Sequence, residues 1–146
     1  MDFVFNCADS AYTSGNANIV ITGGSFVGFD PQNNKAEGAN TNFVAANHVA
    51  LDPDGDGTYV VVAGGTVTFD LNGGTDTGDY SEQRIAAGEL VTEPAPAPTK
   101  ANFVFKEWQL NGTAYSFNTP VSGDIELVAF YDEAAAAIDG VYYVTL

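Results

Sequence analysis

Asp52, Asp54 and Asp56 stand at alternate positions ahead of Gly57, a spacing that meets the first half of a calcium loop. A helix-flanked loop of that kind needs a bidentate glutamate near position 63, which is Ala63. A β-branched run follows where a helix should, so turn chemistry accounts for the three aspartates without a metal. His48 is the only histidine, which rules out a His-cluster metal site. No G-x-S-x-G nucleophile turn accompanies it, and it reads as a solvent-facing or capping side chain. With 19 carboxylates no single pair stands out as an acid–base couple, and Asp76/Asp79 and Asp132/Glu133 read as solvating loop charges. The glycines form no phosphate-cradling pattern. Trp108, Tyr115 and Phe117 are of the types that stack against sugars, but a domain of about seventy residues needs such aromatics in its core. Tyr12, Tyr80 and Tyr131 are freer for contacts. The sequence supports no catalytic residue, no cofactor site and no metal site.

Composition narrows the setting. Ten Phe, seven Tyr and one Trp argue against disorder, and 16 Gly with few helix-forming runs point to β structure. Four basic residues, Lys35, Arg84, Lys100 and Lys106, leave a net charge of −15, which repels phosphate backbones and anionic lipid. Nucleic acid is therefore not an expected partner. No apolar run is long enough to insert in a membrane. Cys7 has no second cysteine to pair with and sits in an apolar alternation, as a small buried hydrophobe. No charged-then-apolar leader opens the chain, although its composition suits an exported protein. It reads either as an excerpt of a secreted polypeptide or as a protein exported without a leader, inside a virion for example.

The elements that hold these residues divide the chain into 1–64, 65–133 and 134–146. Residues 2–29 read as short strands separated by turns such as Ser14-Gly-Asn16. Ile19 and Ile21 point to one side, Gly23-Gly24 makes a corner and Phe26 stacks inward. Asp30-Pro31 starts a turn, and Thr41–Ala45 places Phe43 as a plug. Val49–Leu51 and Thr58–Ala63 form a hairpin around Asp52–Gly57. Further strands are expected at Val67–Leu71, Glu82–Ala86, Asn102–Leu110 and Asp124–Tyr131, with Glu89–Val91 continuing the second. Phe103, Phe105 and, through a local irregularity, Trp108 should pack inward. Pro94, Pro96 and Pro98 make an extended connector. Tyr115–Thr119 reads as a short helical or irregular turn.

Three stretches carry resemblances to known families. The pattern I-x-I-T-G-G-x-F at 19–26, followed by Phe29–Ala45, resembles the last rungs and terminal cap of right-handed β-helices on bacterial surfaces and phage fibres. Thr66–Gly74, the Thr92–Lys100 linker, Phe103–Gly112 and Pro120–Tyr131 together resemble the Listeria–Bacteroides repeat, or internalin B-repeat, of bacterial surface proteins. Phe103 stands at that repeat's usual Tyr, Asn102 at its Gly, and Glu107 at the Gly before Trp108. Ile138–Leu146 is similar to the opening strand of a following β-helix region. The resemblances imply a mainly β chain: β-helix-like terminal rungs and a hairpin, then a small β-grasp-like domain, a mixed sheet curled around one short helical segment. They also imply a non-catalytic extracellular surface module, a stalk or spacer with adhesive potential. A phage virion component (capsid decoration or fibre protein) and a glycan-binding module are the alternatives. The partners implied are a host glycan or surface protein, with self-association through the β-helix end or the C-terminal strand.

Overall fold

A computed structural model describes residues 9–15 and 17–135. Expectations for Cys7, for Asn16 and for the strand within 136–146 lie outside the described residues. The protein is mainly β, as its composition requires. Helix α1 spans Asp9–Thr13; the strands are β1 (Gly24–Val27), β2 (His48–Leu51), β3 (Thr58–Asp70), β4 (Gln83–Ala86), β5 (Phe103–Leu110), β6 (Thr113–Ala114) and β7 (Ile125–Glu133). They form one mixed sheet in the order β1-β3-β7-β5-β6, with β2 and β4 also pairing with β3. The helix corrects the all-strand reading of residues 2–29 over 9–13.

The chain forms two compact units whose segments interleave. One takes the chain to Thr68, Glu82–Thr92 and Ser116–Ile125; the other takes Phe69–Ser81, Glu93–Tyr115 and the chain from Glu126.

In the first unit β1 and β2 both pair antiparallel with β3, Gly24 opposite Val61 and Leu51 opposite Val60. The expected hairpin forms as β2 and β3, but its second arm, Thr58–Ala63, and the expected Val67–Leu71 strand are parts of the single 13-residue β3. Two successive glycines, Gly64 and Gly65, let it run through without a break at its most crowded point. A Cβ on Gly65 would run into the Gly123 carbonyl, and one on Gly64 into that of Ile85. Ile21, Phe29, Ala36, Phe43, Ala50 and Val61 make the core, with Ile19 and Phe26 packed against it. Phe43 is 2 % exposed. Ile21 and Val44 form a parallel bridge, closed by Ile21 N–H to the Phe43 carbonyl at 2.7 Å and Ala45 N–H to the Ile21 carbonyl at 2.9 Å. Glu89–Val91 is not strand; Glu89 instead accepts the Val121 N–H at 2.8 Å while Val91 and Val121 are buried.

The second unit is built around Trp108. β5 pairs antiparallel with β7, and the register shifts between Phe105 and Glu107. That bulge breaks the alternation, so Phe105 and Trp108 meet at 5.6 Å between ring centroids rather than facing opposite sides. Phe103 is the correction here: it is 37 % exposed, with the Lys100 ammonium 4.9 Å from its ring centre. Asn111 and Gly112 both take positive φ (52° and 80°), the two-residue turn that joins β5 to the unforeseen β6. Asn102, at the repeat's usual glycine position, also has positive φ, 67°; asparagine reaches that conformation more readily than other side chains do. No helix occurs within residues 66–130, and 115–119 is an irregular turn, so the expected short helical segment is not present.

Candidate functional site

The two units treat polar and aromatic side chains differently, and that difference locates the site. In the second unit the aromatics around Trp108 are consumed by packing, while Phe103 and Phe130 stay exposed. Trp108 is 1 % exposed and its ring lies 5.2 Å from Phe69, 5.6 Å from Phe105 and 6.1 Å from Tyr80. Each such tilted or edge-on pair adds roughly 0.5–1.5 kcal/mol beyond the area it buries. The indole Nε1–H is buried without a hydrogen-bond acceptor. Tyr131 is also buried, and its hydroxyl donates to the Leu71 carbonyl at 2.8 Å. Burial, then the Tyr80 hydroxyl and the Asp70 carboxylate, push its pKa up from the ordinary tyrosine value. The Tyr80 hydroxyl donates to the Pro96 carbonyl at 2.6 Å and pins the proline connector. Tyr12 lies edge-on to Phe43 at 6.4 Å. The three tyrosines expected to be freer for contacts are therefore engaged inside the fold. Tyr115 and Phe117 are half-buried, and a platform with Trp108 does not form at the surface.

The aspartate loop joins β2 to β3. Asp52 accepts the Asp56 and Gly57 N–H groups on its two oxygens at 3.2 and 3.1 Å, and Asp56 accepts the Thr58 N–H at 2.8 Å. These carboxylates hold a turn. Among the described residues no group of three or more His, Cys, Asp or Glu side chains is placed to hold a metal ion.

The open polar feature is a cleft of about 470 Å³ in the first unit, lined by Gln32, Asn33, Asn40, Asn42, His48, Thr66, Glu82, Arg84 and Asp124, with apolar Val44, Ala45 and Ala46. Its floor is a chain of hydrogen bonds. Asp30 accepts from the Gln32 N–H at 2.8 Å and from Arg84 Nη1 at 2.9 Å; Arg84 also donates to the Ala50 carbonyl. The Gln32 amide donates to the Thr66 hydroxyl at 2.7 Å and accepts the Ala50 N–H at 2.8 Å. Asp124 accepts the Thr66 N–H at 2.8 Å and the Asn47 N–H at 3.3 Å, while its own N–H reaches the Asn47 side chain. Asn47 sits against Gly123, where a Cβ would displace it. His48 Nδ1 donates to the Ala46 carbonyl at 3.0 Å, the local capping role expected of it, and in that tautomer Nε2 is an acceptor.

The arrangement offers fixed donors and acceptors rather than an activated nucleophile. Thr66, the hydroxyl of the cleft, is tied to Gln32, and His48 is oriented by a backbone carbonyl rather than by a carboxylate. The sequence places a turn at Asp30-Pro31 but carries no sign that Asp30 meets Arg84 or that Gln32 meets Thr66. The spacing that joins them, 34 residues from Gln32 to Thr66 and 54 from Asp30 to Arg84, leaves no local signal.

Comparison with known families bears on the segment that supplies four of the twelve lining residues. Residues 66–130 match the Listeria-Bacteroides repeat domain. No curated protein matches the chain. The repeat domain is found in bacterial surface proteins. Its matched span begins at Thr66, inside β3, and ends at Phe130, inside β7, so it takes in the whole Trp108 cage. It also supplies Thr66, Glu82, Arg84 and Asp124 to the cleft, whereas Gln32, the asparagines and His48 come from the chain before it. No helix among the described residues is long and apolar enough to cross a membrane.

Proposed function

We propose that the chain is a non-catalytic extracellular module of a modular bacterial surface protein, acting as a stalk or spacer. The observation that carries this reading is the repeat match over residues 66–130, together with a structure that encloses the repeat's Trp108 in its own core. A spacer needs compact units that resist extension, and antiparallel strands around a caged tryptophan meet that need. The strongly acidic surface, at −15 for the chain, keeps neighbouring copies apart and soluble.

Residues before the repeat act in this reading as the closing cap of a β-helix region. The parallel Ile21–Val44 bridge supports it, since successive rungs of a solenoid stack in parallel with inward apolar side chains. Ile21 and Phe43 are both buried there, and Thr41, 7 % exposed, closes the turn by donating to the Gly38 carbonyl at 2.7 Å.

Surface display is tested by brief proteolysis of intact cells that make the native protein, with released peptides identified by mass spectrometry. Peptides from this chain should appear from whole cells before cytoplasmic markers do. Peptides found only after lysis, or concentrated in purified phage particles, would contradict the reading.

A further inference from the structure

The cleft of the first unit carries polar groups that a spacer does not require. Its floor is rigid, because Gln32, Thr66, Arg84 and Asp124 hold one another and the backbone, as described above. Its rim is not so committed. Among the described residues the Asn33 and Asn40 side-chain amides have no hydrogen-bond partner, Asn42 uses only its oxygen, on the Val44 N–H at 2.8 Å, and His48 keeps Nε2. Glu82 has only a distant ion pair, 3.9 Å to Arg84 Nε.

Each amide offers donors and an acceptor side by side, the carboxylate accepts from two neighbouring groups, and Val44 to Ala46 add a small apolar wall. The ligand class complementary to such a rim has many hydroxyls, each able to donate and accept, on a carbon frame with apolar faces. Charge narrows it further. One cation, Arg84, stands against two carboxylates, Glu82 and Asp124, and Arg84 is already paired with Asp30. Phosphate, sulfate and sialic acid are therefore disfavoured. The volume, about 470 Å³, falls within the roughly 300–1,000 Å³ usual for small-ligand sites.

We infer that this cleft binds a neutral oligosaccharide through Asn33, Asn40, Asn42, His48 and Glu82. Recognition rests on amides and a carboxylate over a fixed polar floor, not on stacking against tryptophan. This goes beyond the spacer role and does not depend on it: a displayed spacer without sugar binding, or a sugar-binding chain that is not displayed, would each separate the two.

The test is a titration of the full chain with cello-, chito- and manno-oligosaccharides, followed by two-dimensional NMR of backbone, side-chain amide and histidine signals. Sialylated and sulfated oligosaccharides serve as counter-probes. At least one neutral sugar should give saturable shifts at His48 and at the Asn33 and Asn40 side chains. Asn33→Ala and Glu82→Gln, both at exposed positions, should each weaken it about fivefold to tenfold while the melting midpoint stays unchanged. No saturable shift with any neutral sugar in the panel would overturn the inference. So would shifts confined to other residues, a preference for the acidic sugars, or unaltered binding by both variants.

Discussion

Trp108 shows how a single side chain can decide between a binding surface and a core. Its indole is enclosed by Phe69, Phe105 and Tyr80, and truncation to alanine would leave a void that no neighbour can fill without breaking the bulge at Phe105/Glu107. Trp108→Ala should cost about 3–5 kcal/mol in chemical denaturation, and Trp108→Phe distinctly less, because the lost indole N–H had no hydrogen bond to forfeit. Tyr131 gives a pH signature. Its folded pKa is raised, so the folded state holds the phenolic proton at a pH where the unfolded chain releases it. The stability this contributes is fully present below the unfolded tyrosine value of about 10 and is lost as pH rises through the folded value. Tyr131→Phe should therefore flatten the alkaline limb of a stability–pH curve, and an unchanged limb would contradict the assignment.

At the scale of elements, β3 matters most, since β1, β2 and β4 all pair with it. Gly65 permits this by letting the Gly123 backbone approach closely. The obstruction is backbone rather than a mobile side chain, so Gly65→Ala should destabilise at the upper end of the roughly 1–3 kcal/mol typical of overpacking, measurable as a lower denaturation midpoint. The β2–β3 turn gives the opposite kind of expectation. Asp52 and Asp56 already satisfy backbone N–H groups, so melting with and without a calcium chelator should give the same midpoint. A midpoint that falls with chelator would show that a metal holds the loop. The elements also show what could be read in advance. Alternation and turn residues made the hairpin, the β5 and β7 strands and the Asn111-Gly112 turn legible, because those signals are local. The fusion of two expected strands into β3 was hidden by Gly64-Gly65, a pair that ordinarily signals a break and here marks close packing. The five-residue helix α1 carries too short a pattern to stand out against strands.

For the whole molecule, the interleaving of the two compact units explains why the repeat was legible and the cleft was not. The repeat's aromatic, proline and turn residues are distinctive types grouped within single strands and loops, so the pattern survives as a motif even though Trp108 packs on the distant Phe69 and Tyr80. The cleft draws on three distant segments, and its residues, Asn33, Asn40, Asn42 and Glu82, are individually ordinary loop side chains. The aromatic cage takes Trp108 out of contact with solvent; the uncommitted polar groups lie in the cleft of the first unit, Glu82 of the repeat segment among them. The most direct test uses the chain's only tryptophan as its own reporter. In the native protein Trp108 fluorescence should be blue-shifted relative to the denatured chain, resist quenching by acrylamide, and remain unmoved by added oligosaccharides. Emission at the denatured position with full access to quencher, or a shift on adding sugar, would contradict a caged structural tryptophan and return the aromatic strand to the surface as a binding platform.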